Sequence, residues 1–117
     1  MEFTFRGTRG SIASPGPKTV KYGGNTTCIE VRGDNGEIII IDAGTGIFPL
    51  AQSLLSELPV SCDIFITHTH WDHIQGLPFF TPIFIPGNDI TIYGAPDPVT
   101  QRGIDAVLSR QMEYAYF

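Results

Sequence analysis

Residues Ile38-Ile39-Ile40-Ile41 form the longest uninterrupted aliphatic run in the chain, and Asp42 ends it. Successive strand residues point to opposite faces of a sheet, so a continuous apolar run asks for cover on both sides. The run therefore predicts a central strand over residues 37–41, buried on each face. Asp42-Ala43-Gly44-Thr45-Gly46 reads as a tight turn. Behind it Ile47, Leu50, Ala51, Leu54, Leu55 and Leu58 recur at helical spacing and make one apolar stripe. Pro49 is tolerated only in a first turn, so the helix starts near Gly46 or Ile47, and Pro59 stops it. Cys62 to Thr67 is again apolar and β-branched and predicts the next strand.

The remaining segments fit around this unit. Residues 2–8 alternate like a strand, and residues 9–24, rich in Gly, Ser and Pro, read as a long loop closing at Gly23-Gly24. Residues 26–32 predict a strand, and Gly33-Asp34-Asn35-Gly36 a hairpin turn. Residues 68–77 read as a loop with a helical turn. Prolines 78, 82 and 86 predict a stiff, non-helical path through residues 78–87. Asp89 to Tyr93 is a short strand, and Asp97-Pro98 resembles a helix start, followed by Ile104, Val107, Leu108 and Met112 at helical spacing. The order is three strands, helix, strand, loop, strand, helix. The fold class expected is α/β, a mixed sheet covered by helices.

At 117 residues and 42% hydrophobic content the chain is one domain with enough apolar material for a core. Its aromatics and its 16% charged content exclude disorder and coiled coil. No run approaches the roughly 20 apolar residues of a membrane span. The first residues show no basic stretch followed by an apolar one, so no leader is expected and the cytoplasm is the default location. The chain stops at Tyr114-Ala115-Tyr116-Phe117 without a helix stop signal, so the natural gene is expected to continue.

The net charge is −5, and no basic run occurs, so charge alone does not indicate nucleic-acid binding. An acidic chain can still act on a phosphate ester if a metal supplies local positive charge. Cys28 and Cys62 lie in apolar stretches and read as buried free thiols. All three histidines fall in one hexapeptide, His68-Thr69-His70-Trp71-Asp72-His73, directly after an apolar strand. His68 and His70 are two apart, so in extended backbone their imidazoles face one point. Asp72 and His73 follow where the chain turns and can meet a second point nearby. Buried imidazoles and a carboxylate need partners, and this donor set suits zinc, iron or manganese.

The hexapeptide matches the H-x-H-x-D-H signature of the metallo-β-lactamase-fold hydrolases, and the chain resembles that family. Asp42-Ala43-Gly44-Thr45-Gly46 is similar to the family's strand-ending aspartate-glycine turn. Gly7-Thr8-Arg9-Gly10-Ser11 and Gly23-Gly24-Asn25-Thr26-Thr27 resemble its phosphodiesterase-type branch. That branch includes transfer-RNA 3′-processing endonucleases, cyclic-nucleotide phosphodiesterases and phosphonate-pathway phosphodiesterases. The resemblance implies the first half of an αββα sandwich and two divalent metal ions, zinc first, with iron or manganese as alternatives. His68 and His70 would bind the first ion, Asp72 and His73 the second. A hydroxide bridging the two would be the nucleophile, with Asp72 orienting it. Asp42 would hold the metal-site loops by hydrogen bonds, or else cap the helix behind it. The family completes its site with a further histidine, an aspartate and a last histidine, whereas no histidine follows His73 here. Residues 1–117 are thus expected to be a single metallo-β-lactamase-like domain, incomplete at its C-terminal end.

The function expected is hydrolysis of a small-molecule or nucleotide phosphodiester. Its alternatives are a thioester, lactone or β-lactam hydrolase, and a non-catalytic metal-binding or sensor module with a half-site. A sheet face left without cover would drive oligomerisation. Trp71 is expected to pack under the metal loop, with stacking on substrate as the alternative. Phe79, Phe80 and Phe84 serve either a pocket or the core. Arg9, Lys18 and Lys21 are solvated loop charges or phosphate contacts.

Overall fold

A computed structural model describes all 117 residues, Met1–Phe117. The isoleucine run forms the middle strand of a five-stranded sheet with the order β1-β2-β3-β4-β5. The strands are β1 (Glu2–Gly7), β2 (Cys28–Arg32), β3 (Ile38–Ile41), β4 (Ser61–Ile66) and β5 (Asp89–Gly94). β1, β2 and β3 are antiparallel neighbours. β3, β4 and β5 run parallel. The β2–β3 hairpin closes at residues 33–36, where Gly36 takes a positive φ of 87° that a side chain would resist.

Three α-helices accompany the sheet: α1 (Ile47–Leu54), α2 (Trp71–Ile74) and α3 (Ile104–Gln111). Ile47, Leu50, Ala51 and Leu54 of α1 are fully buried against Ile38 and Ile40 of β3 and Cys62, Ile64 and Ile66 of β4. Ile74, Leu77, Phe80 and Leu108 complete this core. Cys28 and Cys62 are buried free thiols within it.

Four expectations need correction. The middle strand is not buried on both faces: Ile38 and Ile40 are buried, but Ile39 and Ile41 only partly. The reason is topological. Only the parallel links β3-α1-β4 and β4-α2-β5 must cross the sheet, and right-handed crossovers that step in one direction lie on one face. The other face, with Phe3, Phe5, Ile29, Ile39, Ile41, Phe65 and Tyr93 in register across all five strands, is left open. Phe3 and Phe5 are 58% and 68% exposed, and Phe65 stacks on Tyr93 with ring centroids 4.8 Å apart.

Helix α1 ends at Leu54 rather than Leu58. The residue before a proline avoids helical backbone, so the chain loosens into turns ahead of Pro59, while Leu58 still packs on the core. Asp97-Pro98 does not start the second helix, which begins at Ile104 after Gly103. The Asp97 carboxylate instead accepts the N–H groups of Val99 and Thr100 and closes an isolated turn, which Gln101 leaves with a φ of 59°. The segment 78–87 is not free of helix: Leu77–Phe79 and Thr81–Phe84 are short 3-10 helices, each with a proline in its opening turn. Phe80 is buried there as core, whereas Phe79 and Phe84 stay exposed against Phe117.

Candidate functional site

The site sits at the carboxyl ends of the parallel strands β3 and β4. β3 is followed by Asp42, whose N–H donates to Phe65 O and whose φ of 63° turns the chain out of the sheet. Left-handed backbone costs a branched residue dearly and is tolerated better by asparagine and aspartate. Two glycines then let the segments close up. A side chain on Gly44 would lie 2.5 Å from Asp72 O and Thr26 Oγ1 and 2.6 Å from Thr27 O. Gly76 is pressed as tightly against the Gly44 carbonyl. Ala43 ties the two loops, donating its N–H to His73 O (2.8 Å) and accepting from Gly76 N–H (2.9 Å).

Asp42 does not cap α1, whose N-terminus is at Gly46 and carries no side-chain cap. Its carboxylate is buried and turned toward β4. It accepts Thr67 N–H on Oδ1 at 2.8 Å, and the Thr67 hydroxyl lies 3.0 and 2.9 Å from its two oxygens. His73 Nδ1 meets Oδ2 at 2.8 Å. A hydroxyl has one proton, and Thr67 gives it to Asp42. Thr67 Oγ1 must therefore accept from His68 Nδ1–H, 3.1 Å away. In its neutral form, each of the two rings then carries its lone pair on Nε2.

The rings cluster. His68 lies 4.6 Å from His70 and 4.0 Å from His73, centroid to centroid. His73 Nε2 is 3.5 Å from Asp72 Oδ2. Asp72 also accepts the Ser11 N–H at 2.9 Å, and that bond is the main reason its carboxyl sits below its ordinary range. Two acceptor atoms facing each other, Nε2 of His73 and Oδ2 of Asp72, are relieved by a cation between them. The donor chemistry of His68, His70, Asp72 and His73, with Nδ1 of His68 and of His73 already engaged, thus fits divalent metal ions. The spacing is that of rings in van der Waals contact, and no three His, Cys, Asp or Glu side chains converge on one point as ligands.

The long loop from Arg9 to Gly24 forms the opposite wall through the Ser11 bond to Asp72. Arg9, Lys18 and Lys21 line a hollow of about 200 Å³ in it, and the Arg9 Nε–H donates to Ile12 O. Trp71 does not pack under the metal loop. It is 61% exposed, because α2 begins at this residue and turns Ile74 rather than the indole into the core.

Two residues escaped the sequence reading. Thr67 is the relay between Asp42 and His68, and its only signal was a hydroxyl residue at the junction of strand and histidines. Ser11 acts through its backbone N–H, which no side-chain pattern reports.

Residues 37–115 match the sequence model of the beta-lactamase superfamily domain. Among curated proteins, the chain is similar to ribonuclease Z of Rippkaea orientalis, 35% identical over 83% of this chain and 30% of that protein. It is also similar to ribonuclease Z of Methanothermobacter thermautotrophicus, 34% identical over 100% of this chain and 34% of that protein. Ribonuclease Z of Halobacterium salinarum is 37% identical over 67% of the chain and 22% of its own length. The chain therefore spans about a third or less of the length of the curated relatives it matches. No solved structure gives a significant match.

Proposed function

Because this chain belongs to the metallo-β-lactamase superfamily, we propose that it is a metal-dependent phosphodiesterase whose first metal ligands lie in His68-Thr69-His70-Trp71-Asp72-His73. The observation that carries this reading is the orientation of the imidazoles: Asp42 and Thr67 occupy the Nδ1 atoms of His73 and His68, leaving each Nε2 free to donate to a cation. The relatives' name supports the phosphodiester class, since a ribonuclease cleaves a phosphodiester backbone.

Two divalent ions, zinc in the first instance, would be held by His68 and His70 and by Asp72 and His73. Such ions supply Lewis acidity at the phosphoryl oxygens and activate water for attack. The chain's own residues do the positioning. Ser11 N–H keeps Asp72 ionised and fixes one of its oxygens, leaving the other to orient an attacking water through its proton. Asp42 and Thr67 hold the two rings against rotation. Pro96 and Pro98, with His68 and His70, enclose a hollow of about 480 Å³, within the size range of small-molecule sites. No histidine follows His73, so a complete two-metal site would need further ligands from outside these 117 residues.

The test pairs metal content with turnover. Emission spectrometry should find close to two divalent ions per completed site, and bis-p-nitrophenyl phosphate should be hydrolysed. His70→Ala should lower both. Turnover of thioesters, lactones or β-lactams without the phosphodiester would overturn the substrate class, and unchanged metal content in His70→Ala would remove that residue from the ligand set.

A further inference from the structure

Beside the histidine hollow lies a second one of about 460 Å³, and Thr69 and Asp97 line both. Its other walls include Trp71, Arg102, Arg110, Gln111 and Tyr116. Trp71 and Tyr116 expose 61% and 68% of their surface. Gln111 is buried, and its amide N–H donates to Ile74 O at 2.7 Å, which fixes the orientation of the amide. Its Oε1 is left buried with no partner, the one such side-chain atom in the molecule. A buried acceptor without a donor is costly. Two of the chain's seven cationic side chains, Arg102 and Arg110, flank the same space although the net charge is −5.

We propose that this hollow is a nucleobase subsite. Aromatic faces and guanidinium planes stack on a base whatever its identity. Gln111 lies in the wall, and a small rotation that opens its Oε1 to the hollow would let a ring N–H or exocyclic amino group supply the donor it lacks. The shared wall at Thr69 and Asp97 sets the base next to the histidines, so a nucleotide reaching His68 and His70 with its phosphate seats its base between Trp71 and Tyr116. That adjacency rests on the phosphodiesterase reading; base binding itself does not.

Trp71 is the only tryptophan, so its fluorescence reads the hollow directly. Titration of the protein with adenosine should give saturable quenching, and ribose 5-phosphate, which lacks a base, should give none. Tyr116→Ala, a change at an exposed side chain, should weaken adenosine binding roughly tenfold. Absence of saturable quenching, equal quenching by ribose 5-phosphate, or unchanged affinity in Tyr116→Ala overturns the subsite. Bis-p-nitrophenyl phosphate turnover separates the two readings. In a protein whose metal site is complete, adenosine binding without turnover supports the subsite and counts against the phosphodiesterase, and turnover without adenosine binding does the reverse.

Discussion

Asp42 shows how much one carboxylate can organise. It is buried, sits in left-handed backbone and accepts from Thr67 N–H, Thr67 Oγ1–H and His73 Nδ1–H. Replacing it with alanine strands those donors, so Asp42→Ala should cost roughly 1–3 kcal/mol in urea unfolding. The same change frees both imidazoles and should weaken metal binding about 10- to 100-fold in a competition titration. Full metal affinity in a folded Asp42→Ala protein would show that the ring tautomers are set elsewhere. The cysteines make a separate test. Burial pushes the thiol of Cys28 up to about 12 and that of Cys62 up to about 11. Neither should react quickly with Ellman's reagent at pH 8 in the native protein, and both should react in urea. At this scale the sequence told apart what is a donor from what is not. The histidine hexapeptide was legible because four metal-type side chains in six residues need partners. Ser11 was not, because a backbone N–H is common to every residue but proline.

The elements owe their junctions to close approach and charge. Gly44 lets the turn after β3 meet the start of α2, where a methyl group would collide with Asp72 O and Thr27 O. Gly44→Ala should therefore cost roughly 1–3 kcal/mol in denaturant unfolding and loosen the histidine loop. A change within error would mean that the loops separate freely. At the far end of the sheet Glu30, buried in β2, accepts from Arg6 and Arg32, and Arg32 reaches on to Glu57 beyond α1. The Arg32 guanidinium holds the Glu57 carboxyl below its ordinary range. A depressed carboxyl stabilises the fold above its unfolded value, about 4.3, and that stabilisation is lost as pH falls through the lower folded value. Glu57 is well exposed, so Glu57→Gln should cost under about 1 kcal/mol at pH 7 and nothing at pH 2–3, measured by urea unfolding at each pH. The core of α1 was legible because its stripe repeats at helical period. The start of α3 was not, because an aspartate before proline serves an isolated turn and a helix cap with the same hydrogen bonds.

Across the whole molecule, the helices lie on one side of the sheet and an apolar face is open on the other. Phe3, Phe5, Phe65 and Tyr93 put aromatic rings there in contact with water. Such a face should bind the dye ANS, and Phe5→Ser, at an already exposed position, should reduce that binding without lowering stability by more than about 0.5 kcal/mol. No ANS signal from the native protein would mean that the face is covered in solution. The curated relatives are about three times as long as this chain or more. No helix here is long and apolar enough to cross a membrane. The order of strands and helices, the apolar core positions and the clustering of metal-type donors were determined by the sequence alone, since each is written in the spacing of neighbouring residues. Which sheet face is covered, which nitrogen of each imidazole is free and which hollow adjoins the histidines were decided only in three dimensions. Crossover handedness and the meeting of Asp42, Thr67 and His73 depend on segments far apart in the chain, and local pattern carries no record of them.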